Sequence, residues 1–101
     1  MQISDFHKFA DKALGDLVEK IEKIDVEGKW DADLHDGILS LTLENGRQYI
    51  INKHQASLKI WVSSPVSGAA YFVCDERQGA WLDGVVSLED KILGELREIA
   101  E

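Results

Sequence analysis

The sequence predicts an α+β domain, a two-layer α/β sandwich whose antiparallel sheet of about five or six strands carries an N-terminal and a C-terminal helix on one face. Three observations predict it. Apolar residues recur at helical spacing near both ends of the chain. Two-residue alternation fills the middle. Asp-Gly and Asn-Gly pairs interrupt that alternation where hairpins must close.

The first helix is predicted over residues 4–24. Phe6, Phe9, Ala10, Ala13, Leu14, Leu17, Val18, Ile21 and Ile24 form one apolar stripe, with Ser4 as N-cap and Asp5 at the positive end of the dipole. The period then changes. Trp30, Ala32 and Leu34 alternate with Asp31, Asp33 and His35, and Leu39, Leu41 and Leu43 alternate with Ser40 and Thr42. A turn at Asp36-Gly37 pairs Leu34 with Leu39, Ala32 with Leu41 and Trp30 with Leu43, so turn and pattern agree on register. Asn45-Gly46 leads into a third strand, Gln48–Lys53, whose faces the pattern leaves open. Leu58, Ile60 and Val62 alternate with Lys59, Trp61 and Ser63 in a fourth. Residues 64–68 turn the chain into a fifth strand at Ala70–Cys74, and Ala80–Leu82 is a short sixth. Ser87 opens the last helix, with Asp90 three residues on and Leu88, Ile92, Leu96 and Ile99 as its stripe. No repeat or linker divides the chain, so residues 1–101 are expected to form a single domain.

Composition narrows the function. The 101 residues are 45% hydrophobic and 30% charged, as in a soluble globule. Eleven Lys and Arg stand against nineteen Asp and Glu, a net charge of -8. That balance argues against nucleic acid and anionic lipid, and favours cations or a basic protein surface. The one cysteine, Cys74, allows no intrachain disulfide and suits a reducing compartment. No apolar run is long enough to span a bilayer, and the N-terminus lacks the basic and apolar pattern of a secretory signal. A cytoplasmic location is expected, or a mitochondrial matrix location after processing.

Carboxylates are the first candidate site. Asp11 and Glu22 fall roughly 20° apart on the helical wheel, with Glu19 near them. Asp25 and Glu27 follow, and Asp31 and Asp33 project from one strand face about 7 Å apart. If helix end and strand are adjacent, Glu19, Glu22, Asp25, Glu27, Asp31 and Asp33 line one edge. Two charges at that separation repel by about 2 kcal/mol at an effective dielectric of about 20. A hard cation would relieve the repulsion, with His7 or His35 as minor ligands for a transition metal. The alternative is a solvated surface with Lys20, Lys23 and Lys29 as ion-pair partners. An EF-hand is excluded, because Gly37 comes one place late and Thr42 stands where the closing Glu is needed.

Trp61 is the second candidate. Alternation places it beside Lys59 and Ser63, opposite the apolar series, where it is either an exposed interface anchor or covered by a neighbouring loop. Cys74 lies in an apolar strand and reads as structural. No catalytic or nucleotide-binding motif is present, and no enzymatic activity is expected.

Several segments resemble the frataxin family, whose bacterial members are called CyaY. These are Gly37-Ile38-Leu39, Glu44-Asn45-Gly46, Tyr49–Lys53, Lys59–Gly68 with its Ile-Trp-Val-Ser-Ser-Pro run, and Ser4–Asp11 at the start. The resemblance covers nearly the whole chain, more loosely after Cys74. It implies the same sandwich and a role in iron–sulfur cluster assembly. It implies weak binding of Fe²⁺ or Fe³⁺ by the ridge Glu19, Glu22, Asp25, Glu27, Asp31 and Asp33. It also implies docking on the cysteine desulfurase and its scaffold protein through an exposed sheet face mapped to Asn52, Lys53 and Trp61, with Lys59. A monomer is expected without metal, and a weak ferroxidase is the enzymatic alternative. Lys23 and Lys29 interrupt the ridge, and His54 stands where Gln is usual.

Overall fold

The computed structural model describes residues 1–100. The chain runs α1 (Ile3–Ile24), β1 (Asp31–His35), β2 (Ile38–Thr42), β3 (Gln48–His54), a 3₁₀ turn (Gln55–Ser57), β4 (Lys59–Ser64), β5 (Gly68–Asp75), β6 (Ala80–Asp83), β7 (Val86–Ser87) and α2 (Leu88–Ala100). All strands belong to one antiparallel seven-stranded sheet in chain order. The expected sandwich is present, with one strand more than the upper figure. The addition is the two-residue β7, which pairs Leu82 with Ser87 and Asp83 with Val86 around Gly84.

One face of the sheet is buried and one is not. Leu39, Leu41, Tyr49, Ile51, Ile60, Val62 and Phe72 point into a core shared with Phe6, Ala10, Leu14, Leu17 and Ile21 of α1 and Leu88, Ile92, Leu93 and Leu96 of α2. Trp81 closes that core, edge-on to Phe6 at 5.8 Å, and its Nε1–H donates to the Phe9 carbonyl at 3.4 Å. Because strand side chains alternate, Ser40, Ile50, Asn52, Trp61, Ser63, Tyr71 and Val73 occupy the outer face. α1 and α2 run in the same direction, with Phe9 and Ala13 of α1 beside the start of α2 and Ile24 beside Ile99 near its end, and Lys20 reaches Glu89 at 2.6 Å.

The first hairpin keeps the predicted register, Leu34 opposite Leu39 and Ala32 opposite Leu41. Its turn residues Asp36 and Gly37 both have positive φ, 51° and 76°, as a type I′ turn requires. Trp30 sits just outside the ladder, while still packing on the core. Leu34 remains 40% exposed, because the edge strand runs out from under the helical layer.

Other expectations are corrected at element ends. α1 begins at Ile3, so Ser4 lies inside the helix and Gln2 precedes it without a side-chain cap. Leu58 is not a strand residue. It closes the 3₁₀ turn in the left-handed region, φ 55°, with its N–H on the Gln55 carbonyl at 3.2 Å. At the other end the Ser87 cap is present, its Oγ accepting the Asp90 N–H at 3.1 Å. Leu93 joins the α2 stripe, whereas Ile99 is 41% exposed.

Candidate functional site

The acidic edge forms where α1 ends and β1 begins. Asp25, the residue after α1, turns its carboxylate back onto the chain and accepts N–H bonds from Lys29 at 2.8 Å and Trp30 at 3.0 Å. Those two bonds fold the connection so that β1 starts beside the last turn of the helix. Glu22, Asp25 and Asp31 consequently line one depression, together with Ile21, Gly28, Trp30 and Ala32. Asp33 follows Asp31 on the outer side of β1, and both are exposed. Glu19 is exposed one turn before Glu22, on the side of α1 nearer Lys12.

These carboxylates are not matched one-to-one by lysines. Among the described residues, Glu27 pairs with Lys29 at 3.0 Å, while Glu19, Glu22, Asp31 and Asp33 make no ion pair within 4.0 Å. Glu27 lies on the far side of the connection, lining a second depression with Ile24, Trp30, Leu43, Glu44 and Ile99. No group of three or more His, Cys, Asp or Glu side chains converges closely enough to cage a metal among the described residues. The donors are hard oxygens, which suits a loosely held hard cation and not a preformed centre.

The second candidate surface is the outer sheet face. Asn52 lies opposite Trp61, and Trp61 opposite Tyr71, so the three form one cross-strand row. The His54 imidazole stacks on the Trp61 indole, with ring centroids 3.8 Å apart and planes within 11°. Tyr71 meets Trp61 edge-on at 5.3 Å, and Lys59 Nζ lies 5.9 Å from the centre of the Tyr71 ring. Trp61 is therefore half-buried, packed against His54 and Tyr71 on the open face.

Lys53 is a correction. It was expected on this face with Asn52 and Trp61. In the ladder it opposes the buried Ile60, which puts it on the helix side, where Nζ binds Asp11 at 2.7 Å. Adjacent strand residues must face opposite ways, so Asn52 and Lys53 cannot share a surface. Cys74 also sits on the helix side, packed against the core, and burial with Glu76 and Asp75 nearby raises its thiol pKa.

Sequence reasoning missed a polar clasp behind the Ser64–Gly68 turn. Glu95 of α2 accepts hydroxyl bonds from Tyr49 at 2.8 Å, Ser64 at 2.7 Å and Ser67 at 2.7 Å, with Lys91 at 3.5 Å. Ser64 Oγ in turn accepts the N–H groups of Val66 and Ser67. Burial alone would raise the Glu95 carboxyl pKa. The three hydroxyl bonds and the lysine outweigh it and hold the group below the usual carboxylate range. The Tyr49 phenol moves the other way, raised by burial and by its bond to Glu95. The hydroxyl partners lie 28 to 46 positions from Glu95, beyond the reach of any local pattern.

A helix-covered antiparallel sheet with an acidic helix–strand edge and an open aromatic face defines a class of small two-layer α/β domains. The whole chain, residues 1–101, matches the model of the frataxin-like domain, and it belongs to the frataxin family. It is 36% identical over 86 residues to mitochondrial frataxin of Arabidopsis thaliana, an alignment covering 81% of this chain and 46% of that protein. It is 35% identical over 78 residues to the iron–sulfur cluster assembly protein CyaY of Thioalkalivibrio sulfidiphilus, covering 77% of this chain and 72% of that one. The chain thus spans about half the length of the plant relative. The fold superposes on frataxin from Psychromonas ingrahamii with a TM-score of 0.83 at 23% identity, covering 98% and 91% of the two chains. Trimeric frataxin from the yeast Saccharomyces cerevisiae, complexed with ferrous iron, matches at TM-score 0.74 and 27% identity, covering 89% and 83%.

Proposed function

We propose that this protein is an iron-binding accessory of iron–sulfur cluster assembly. It would carry iron weakly on surface carboxylates and dock on the cysteine desulfurase and its scaffold protein. The observation that carries this reading is the set of carboxylates without ion-pair partners, Glu22, Asp31 and Asp33, placed around and beside the depression at the junction of α1 and β1. The CyaY relative, named for cluster assembly, and the yeast structure with ferrous iron support the choice of cargo.

Iron is cargo here, not a resident cofactor. Glu19, Glu22, Asp25, Asp31 and Asp33 would share it, with Asp25 the poorest donor because two backbone N–H groups already occupy its oxygens. Without a cage, affinity is expected on the order of micromolar or weaker. Titration with Fe²⁺ or Co²⁺ under argon tests this. Amide and side-chain signals of these residues should broaden, and the melting temperature should rise by mass action. Unchanged spectra at millimolar metal would sink the reading.

A second reading is favoured by the aromatic row on the outer face: an interaction domain for which metal is incidental. Reversing Asp31 and Asp33 to Lys would then abolish binding to the desulfurase in metal-free buffer. We expect no turnover of Fe²⁺ in single-cycle oxygen-uptake measurements. No described helix is long and apolar enough to cross a membrane. The reading places the protein in the bacterial cytoplasm, or in the mitochondrial matrix.

A further inference from the structure

Among the described side chains, two buried polar atoms lack a hydrogen-bond partner, and one is Trp61 Nε1. An indole whose N–H is hidden and unmet gains by turning to any rotamer that reaches water. On an open sheet face such rotamers are at hand. Something must hold the ring where it is.

The neighbours show what does. In the β3–β4 ladder Asn52 is directly opposite Trp61, and His54 is the diagonal neighbour, within reach of a long or aromatic side chain. The imidazole covers one face of the indole at 3.8 Å. The imidazole is itself fixed, because Nδ1 lies 2.8 Å from Ser57 Oγ in the 3₁₀ turn that follows β3. Tyr71 from β5 meets the indole on another side. The aromatic group most suited to anchor a partner is therefore held from two strands before any partner arrives.

We propose that His54 is a positioning residue of the docking face: it holds the Trp61 indole as a preorganised anchor for the cluster-assembly partner. The inference rests on the docking reading above. Its physical basis is entropic. A side chain immobilised in advance forfeits nothing further when a partner closes over it.

The test uses the full chain and the purified desulfurase–scaffold complex, with Trp61→Ala, His54→Ala and His54→Phe. In the free protein, the Trp61 indole N–H should exchange faster with water and lose the ring-current shift due to the imidazole in His54→Ala. It should stay near its native behaviour in His54→Phe, which keeps a flat ring. Affinity for the complex should fall about 3- to 10-fold in His54→Ala, the loss expected from freeing one side chain, and return in His54→Phe. Melting curves establish that the variants are folded. If Trp61→Ala binds as tightly as wild type, the docking reading fails and this inference with it. If Trp61→Ala binds weakly while His54→Ala binds normally, the docking reading stands and the positioning role is overturned. If His54→Ala binds weakly with the indole signal unmoved and His54→Phe brings no recovery, His54 acts by its own contact, which also overturns it.

Discussion

Glu95 shows how one carboxylate can tie three elements together. It holds Tyr49 from β3 and both serines of the β4–β5 turn onto α2. Glu95→Ala leaves the Tyr49 and Ser64 hydroxyls without an acceptor and should cost about 2–3 kcal/mol, read as a lower urea midpoint. Glu95→Gln keeps one acceptor oxygen and should cost about 1 kcal/mol. The pH response follows from the sign of the shift. The folded-state carboxyl pKa is depressed, so its contribution is complete above the unfolded value of about 4.3 and is lost as pH falls through the folded value. Wild type should therefore lose its advantage over Glu95→Gln under acid. Tyr49 gives the opposite window. Its folded phenol pKa is raised, so stability is intact below about pH 10 and declines above it, a decline that Tyr49→Phe should lessen in alkaline melting curves.

Elements carry their own constraints, and they mark how far the sequence could be read. Where a pattern is local and two signals agree, as in Leu34–Leu39 across Asp36-Gly37, both element and register were legible. Both amphipathic helices were legible for the same reason. Leu58 was not, because a 3₁₀ turn without Gly, Pro or Asn leaves no mark on the alternation around it. β7 was missed although Asp83-Gly84 is a turn signal, since two residues are too few to show a period. Composition and spacing pointed to Glu22, Asp25 and Asp31 at one junction, but not to Glu27 turning away to pair with Lys29. The Asp25 carboxylate turning back on the chain, the Lys53–Asp11 pair and the His54–Trp61 stack were not legible, being products of packing between distant segments. Gly37 supplies a test at this scale. It has φ 76°, and an added Cβ would lie 2.5 Å from Lys53 Cε. Gly37→Ala should cost about 1–2 kcal/mol from backbone strain and push Lys53 off Asp11, seen as new shifts at Asp11 in a two-dimensional NMR spectrum. Ser87→Ala, which removes the α2 cap, should cost about 1 kcal/mol by the same denaturation assay.

For the molecule as a whole, the charge of -8 is a standing repulsion, and Glu22, Asp31 and Asp33 at the α1–β1 edge add to it locally. In low-salt, metal-free buffer, Asp31→Asn with Asp33→Asn should raise the melting temperature by about 1–3 °C while weakening metal binding. Salt at about 0.5 M should erase most of that gain, because exposed charges are then screened within a few ångströms. A variant that binds Co²⁺ as tightly as wild type would move the metal elsewhere on the surface.

The chain-order sheet has a consequence for how the protein is made. Each strand pairs with its immediate predecessor, so the sheet can zip up hairpin by hairpin, with short loops to close at every step. The exception is the final helix. Leu88, Ile92, Leu93 and Leu96 follow the other described core residues in the chain, and until they arrive the inner surface of the sheet has only α1 to shelter it. A ribosome-bound nascent chain stalled before residue 88 should be a target for chaperones and proteases, and release of the remaining residues should end that exposure in one cooperative step.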